Sequence, residues 1–150
     1  LYAISVVLCA FLVFAGLGSL MSARWREYVS LIGICVAIGV LSVLYILLLP
    51  CLFNGLVQLP GQLKIPVSVL LIAPLAFMMG MPFPLGLGFV SNRLPSWIPW
   101  AWGVNGCASV VSAMLATLLA IHFCYVFVVI VSVLIYLVAA LVLTKQERAP

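Results

Sequence analysis

Long apolar stretches separated by a few charged residues make up the whole chain. Charge-free blocks cover residues 1–23, 28–63, 65–92 and 94–144. A helix needs about 20 apolar residues to cross the hydrocarbon core of a bilayer. We therefore assign one span to each of the first three blocks and two spans to the fourth. The pattern predicts an all-α integral membrane protein, a bundle of about five transmembrane helices within a single domain. The expected spans are about 1–21, 28–49, 65–84, 97–121 and 123–143.

Prolines and glycines mark where these spans end or bend. Pro50 is expected to end the second span, because proline cannot continue the hydrogen-bond ladder of a helix. The segment 50–64 is then a non-helical connector, too apolar for a free loop and expected to lie in the membrane interface or to fold back against the spans. Pro66 suits the first turn of the third span. Gly18, with its neighbours Gly16 and Ser19, indicates either close approach of another backbone or a weakened helix end.

The composition excludes two classes of protein and one class of partner. Charged residues make up 5% of the chain and hydrophobic residues 68%, whereas soluble domains are about 25% charged. An ordinary soluble domain and a disordered chain are therefore both excluded. Nucleic acid is not an expected partner, because phosphate binding needs several positive charges on one face. The expected partners are the lipid bilayer and other transmembrane helices, of the same chain or of another.

The distribution of basic residues predicts an orientation. With alternating spans, one side receives Arg24, Arg26, Arg93, Lys145 and Arg148, and the other receives Lys64. Basic residues favour the cytoplasmic side, so the first residue is expected outside and the last in the cytoplasm, in a bacterial inner membrane. The chain begins with leucine, and we expect it to be a fragment of a longer chain.

Residues that could support catalysis or metal binding are few. No pair of the five cysteines has the spacing of a metal or redox motif, and Cys51 has Cys124 as its one candidate disulfide partner. His122 is expected at a polar turn, while Glu27 and Glu147 neighbour arginines with which they are expected to pair. We therefore expect no catalytic residue, no metal ligand and no cofactor in this chain.

A proline-containing break interrupts the third span. The segment runs Gly80-Met81-Pro82-Phe83-Pro84-Leu85-Gly86. Two interpretations stay open: a helix end at the inner interface, or a broken helix of the kind that lines transporter sites. Pro82 and Pro84 are accordingly candidates for ligand binding or gating.

The fourth span combines aromatic, polar and small residues, beginning Trp100-Ala101-Trp102-Gly103-Val104-Asn105-Gly106. An amide in lipid is costly, so Asn105 should face another helix or a cavity, and it could cap backbone groups freed at the break. Trp102 and Ser109 complete the ligand-binding or gating candidates. Tight helix packing, with hydroxyl groups bonding across to another helix, is expected of a stripe formed by Gly106, Ser109, Ala113, Ala116 and Ala120. We therefore expect the fourth span to be the central helix and the fifth to be the most lipid-exposed.

These two segments resemble the membrane part of fused, membrane-bound spermidine synthase-like proteins. The resemblance covers about residues 77–125 and includes Ser109-Val110 after the second motif, although Ser112 stands where a glycine is expected. It implies that this chain is a C-terminal membrane region, with a polyamine aminopropyltransferase-like catalytic domain upstream. The parent chain would then be the enzyme, and the fragment alone would not.

Three functions follow as alternatives. The first is a membrane domain that anchors the catalytic domain and passes a small amine substrate, although the absence of acidic residues within the spans counts against passage. The second is part of a secondary transporter with no enzyme domain. The third, a self-contained membrane enzyme, is disfavoured by the scarcity of acids and histidines.

Overall fold

The protein is a bundle of helices. The computed structural model describes residues 2–25, 28–56 and 60–147, with side chains over 4–25, 28–52, 63–92 and 94–142. Within these residues every regular element is helical. The α-helices are α1 Tyr2–Trp25, α2 Leu31–Leu56, α3 Gly61–Met79, α4 Pro82–Arg93, α5 Ile98–His122 and α6 Tyr125–Glu147, with a 3₁₀ turn at Pro95–Trp97 before α5.

Five stretches of the described chain are long and apolar enough to cross a membrane. The third joins α3 and α4 across their break, and the fourth joins the 3₁₀ turn to α5. The stretches are Ile4–Trp25, Leu31–Leu52, Leu63–Asn92, Pro95–His122 and Tyr125–Val142. The prediction of an all-α membrane bundle with five spans is therefore confirmed.

The connector between α2 and α3 is shorter than predicted. Helix α2 continues past Pro50 to Leu56, and α3 begins at Gly61, five residues before Pro66. A proline removes only one backbone donor, whereas ending a helix in lipid would leave several groups unsatisfied. The prediction that 50–64 is non-helical is therefore wrong, and residues 57–59 lie outside the described part of the chain.

The predicted break in the third span lies at Gly80 and Met81. Helix α3 ends at Met79, and α4 begins at Pro82 with proline in its first turn. The N–H groups in the first turn of a helix have no acceptor within the helix, so proline is well tolerated there. The proline pair thus starts a twelve-residue helix rather than only ending the preceding one.

The helices pack mainly in two pairs, α1 with α3 and α2 with α6, and α2 also contacts α3 and α4. The buried core between them consists of Ile34 and Ile38 from α2 and Met81 and Leu85 from the break and α4. Tyr136 of α6 packs against this cluster. The core therefore lies at the level of the first turns of α2.

Helix α5 is not the central helix that the sequence predicts. None of its residues is buried, and it contacts only α6, α4 and the 3₁₀ turn extensively. Helix α6, expected to be the most lipid-exposed, instead packs along α2 and buries Ala140. Both predictions are wrong, because residue size shows how closely a helix could pack but not which neighbour it packs against.

The last two spans form the helical hairpin that the short turn predicts. Phe123 and Cys124 alone separate α5 from α6, and the two helices contact each other. Cys124 has a backbone φ of 118°, a conformation that non-glycine residues rarely adopt. The tightness of this turn therefore carries local backbone strain.

Two glycines bring α1 and α3 into backbone contact. A Cβ atom on Gly18 would overlap the carbonyl oxygen of Phe77, and one on Gly80 would overlap that of Ala15. Gly16, by contrast, has no atom within 4 Å of the equivalent position. Of the two interpretations of this glycine cluster, close backbone approach is confirmed for Gly18.

The glycine contact predicts a position-specific loss of stability. Gly18→Ala should lower the free energy of unfolding by about 1–3 kcal/mol, the usual cost of overpacking. Gly16→Ala is the matched control on the same helix and should be neutral or gain up to about 1 kcal/mol from helix propensity. Unfolding in mixed detergent micelles measures both, and equal stability of the two variants would contradict the contact.

Candidate functional site

The first sequence motif lies at the break between α3 and α4, and the second lies at the start of α5. At the break itself, the backbone is hydrogen-bonded to its own chain. The Gly80 N–H donates to the carbonyls of Ala76 and Phe77, at 3.1 and 3.3 Å, and the Met81 N–H donates to Met78 at 3.2 Å. Met81 is 1% exposed. The break is therefore closed, with no free backbone donor at Gly80 or Met81.

The break lies within the third apolar stretch, which runs from Leu63 to Asn92. Trp25, the last residue of α1, packs edge-on against Phe77, with ring centroids 6.2 Å apart. Ser30 accepts a hydrogen bond of 3.0 Å from the Gly33 N–H and so caps the start of α2. Gly80 itself approaches the backbone of Ala15, in the middle of α1. The helix-end and broken-helix interpretations of this segment therefore both stay predictions.

One aromatic contact joins the two motifs. Phe83, between Pro82 and Pro84, packs edge-on against Trp102 with ring centroids 5.0 Å apart. Both prolines are half-buried in the first turn of α4, whereas Trp102 remains 57% exposed. Of the candidate site residues, Trp102 is therefore the one that the fold brings to the break.

Asn105 does not reach the break. Its side chain is exposed, and Leu85, the residue it was expected to help cap, instead donates its N–H to the Met81 carbonyl at 3.2 Å. The hypothesis that the Asn105 amide caps the freed backbone is wrong. The physical reason is that the N–H groups of Gly80, Met81 and Leu85 already donate to carbonyls of the preceding turn, and so need no acceptor from the Asn105 amide.

The predicted packing stripe on α5 is covered only at its C-terminal end. Ala116 and Ala120 are half-buried, whereas Gly106, Ser109 and Ala113 are exposed. A Cβ atom on Gly106 would meet nothing within 4 Å. Among the described residues, then, no helix packs closely on the first two thirds of this stripe.

The hydroxyl groups of α5 bond to their own helix rather than across to another. Ser109 donates to the Asn105 carbonyl at 2.7 Å, Ser112 to the Ser109 carbonyl at 3.1 Å, and Thr117 to the Ala113 carbonyl at 2.9 Å. Such bonds to the preceding turn satisfy the hydroxyl donors in a lipid environment. The expectation of hydroxyl bonds across helices is therefore wrong for these residues.

Groups able to bind metals or move protons are dispersed in the described part of the chain. No three His, Cys, Asp or Glu groups lie together there. His122 ends α5 and contacts the Leu118 carbonyl at 2.9 Å through Nδ1. Cys51 and Cys124 are both free thiols, so the candidate disulfide is absent. The predicted pairing of Glu27 and Glu147 with arginines falls outside the described side chains.

One polar contact between helices was missed from the sequence. The Tyr45 hydroxyl on α2 donates to the Leu71 carbonyl on α3. Leu71 lies in the turn before Pro74, where proline weakens the backbone ladder. A tyrosine within a span needs a partner for its hydroxyl. In the sequence, Tyr45 and Pro74 were therefore the residues that could have indicated this contact between α2 and α3.

What the arrangement can do chemically follows from these groups. The break between α3 and α4 offers aromatic faces, and its N–H groups at Gly80 and Met81 are already hydrogen-bonded. Helix α5 offers an exposed amide beside small residues. No carboxylate, lysine or arginine lies on α5. Its titratable side chains are the thiol of Cys107, two residues from Asn105, and the imidazole of His122 at the opposite end. The groups present can therefore contribute to helix association or to ligand binding.

A matched pair of substitutions on α5 tests this description in the purified 150-residue chain. Asn105→Leu should leave the melting profile in detergent unchanged, because the amide has no partner among the described residues. Trp102→Leu should lower the free energy of unfolding by about 0.5–1.5 kcal/mol through loss of the Phe83 contact. A stability loss for Asn105→Leu as large as that for Trp102→Leu would show that the amide has a partner within the bundle.

Comparisons with protein-family models, curated proteins and solved structures find no match to this chain. The resemblance to spermidine synthase-like proteins therefore depends on the two motifs alone. The membrane-spanning architecture depends on neither the motifs nor the comparisons, because it follows from helix length and hydropathy.

Proposed function

We propose that this chain is the membrane domain of a spermidine synthase-like protein and anchors a polyamine aminopropyltransferase-like catalytic domain. The support from the sequence is the order and spacing of the two motifs, residues 80–86 and 100–106. Contact between them through Phe83 and Trp102 adds support, because motifs that act together are expected to lie together.

The observation that carries the proposal is the open face of α5. Asn105, Gly106, Ser109 and Ala113 are exposed on a helix that would otherwise face lipid. An intramembrane amide is costly in hydrocarbon, and small residues in such a row allow close helix packing. We infer that this face packs against further transmembrane helices of the parent protein, which makes the bundle one part of a larger membrane assembly.

The proposed orientation places the first residue outside and the C-terminal end of the chain in the cytoplasm. Arg24 at the end of α1 and Arg93 at the end of α4 lie on the side expected to face the cytoplasm, and Lys64 lies on the other. Five basic residues against one favour this arrangement under the positive-inside rule. A bacterial inner membrane is the proposed location.

Passage of a small amine is a weaker element of the proposal. A cation route is usually lined by acidic residues within the membrane, and this chain has none between positions 28 and 144. Any such acids would come from the helices that cover α5. The alternative, part of a secondary transporter without an enzyme domain, would draw on the broken helix, whose backbone at Gly80 is hydrogen-bonded and packed against α1.

The coding sequence that flanks the segment for these 150 residues distinguishes the two proposals. A glycine-rich nucleotide-binding loop followed by acidic residues upstream would support the synthase-like protein. Further apolar spans with no such domain would overturn it in favour of the transporter.

Substitution on the open face of α5 tests its packing in the parent protein, expressed in its own membrane. Ala113→Leu should reduce the amount of assembled protein severalfold, because the larger side chain prevents close approach of another helix. Val111→Leu is the control, since it is 55% exposed and lies on the opposite side of α5. Equal levels for the two variants, measured by quantitative blotting of membranes, would show that nothing packs closely at Ala113.

A further inference from the structure

An apolar groove lies between α2 and α3, away from both sequence motifs. Its volume is about 280 Å³, and its walls include Leu49 and Leu52 from α2 and Val67 and Leu71 from α3. Tyr45 also lines it. Because the Tyr45 hydroxyl already donates to the Leu71 carbonyl, the groove offers an occupant almost exclusively apolar contacts.

The groove runs from the middle of the bundle toward the end at which α2 and α3 are connected. The Tyr45–Leu71 hydrogen bond holds the two helices together at its inner end. Leu52 and Val67 lie nearer the connected ends of α2 and α3. From Tyr45 to Leu52 the helix rises about 10 Å, which is about two thirds of the thickness of one hydrocarbon leaflet. A single extended acyl chain matches a groove of this length with apolar walls.

A lone positive charge stands at the outer end of the groove. Lys64 lies one helical turn before Val67 on the same face of α3, and its side chain is exposed. It is the only charged residue between positions 28 and 92. Lysine at the end of a span reaches toward the headgroup region, where an anionic phosphate would complement its charge.

We propose that the groove between α2 and α3 binds one acyl chain of an anionic phospholipid, whose phosphate pairs with Lys64. The acyl chain lies along the apolar walls from Leu52 and Val67 inward to Tyr45. The headgroup stays at the membrane interface beside the ammonium group. A lipid held in this way fills the space that α2 and α3 leave between them and stabilises their packing. The site is independent of the proposed function, since it uses no residue of either motif.

Native mass spectrometry tests the proposal on the purified protein with phosphatidylglycerol and phosphatidylcholine of equal chain length. The unmodified protein should retain one phosphatidylglycerol molecule about fivefold better than phosphatidylcholine, the factor that corresponds to about 1 kcal/mol from one lysine. Lys64→Gln should abolish this preference while phosphatidylcholine retention stays the same. Equal retention of the two lipids by the unmodified protein would overturn the proposal.

Filling the groove gives the second arm of the experiment. Leu49→Trp should lower phosphatidylglycerol retention at least fivefold, and Val67→Phe, from the opposite wall, should have the same effect if Leu49→Trp fails to fold. Leu47→Trp is the matched control on α2, because Leu47 is 67% exposed and does not line the groove. Equal lipid retention by the groove and control variants would overturn the proposal. A protein dimer that only the groove variants dissociate would overturn it too, because the occupant would then be a second copy of the chain.

Discussion

The backbone contact between α1 and α3 determines where the broken helix lies. Gly18 approaches the carbonyl of Phe77, and Gly80 approaches that of Ala15, so that two helices meet at both ends of one short interface. Because the end of α3 is held this close to α1, the next residue, Met81, projects into the bundle and packs with Ile34 of α2. Helix α4 then starts from a fixed point inside the core. A side chain at either glycine would move that point outward and separate Met81 from its neighbours.

A second constraint comes from the bilayer, where polar groups must be satisfied without water. Most described polar groups find a partner within their own helix: Ser109 and Thr117 donate to the preceding turn of α5, and Gly80 donates to the end of α3. Tyr45 is an exception, because its hydroxyl crosses from α2 to α3 beside the turn that Pro74 weakens. Because polar groups are hydrogen-bonded within their own helix, the helices tolerate internal prolines. It also leaves few polar contacts to specify which helix lies beside which.

That limit explains how far the sequence could predict the structure. The five spans and the α5–α6 hairpin were predictable, because hydrophobic length and turn residues are read directly along the chain. The continuation of α2 past Pro50 was not, since losing one hydrogen bond costs less than ending a helix in lipid. Which helices pack against each other was not predictable either. The stripe containing Gly106 and Ala113 has the same appearance whether its partner belongs to this bundle or lies outside it.

The two motifs of the candidate site consequently differ in what they contribute. The residues of the first motif have structural roles: Gly80 makes a backbone contact, Met81 is buried, and the proline pair starts α4. The second leaves Asn105 and the small residues that follow it exposed. Phe83 connects the two through its contact with Trp102, so the start of α5 packs against the α3–α4 break while its polar face stays open. A helix anchored at one end with an unfilled face is suited to receive another helix or a ligand, which is why we propose a functional role for α5 rather than for the break.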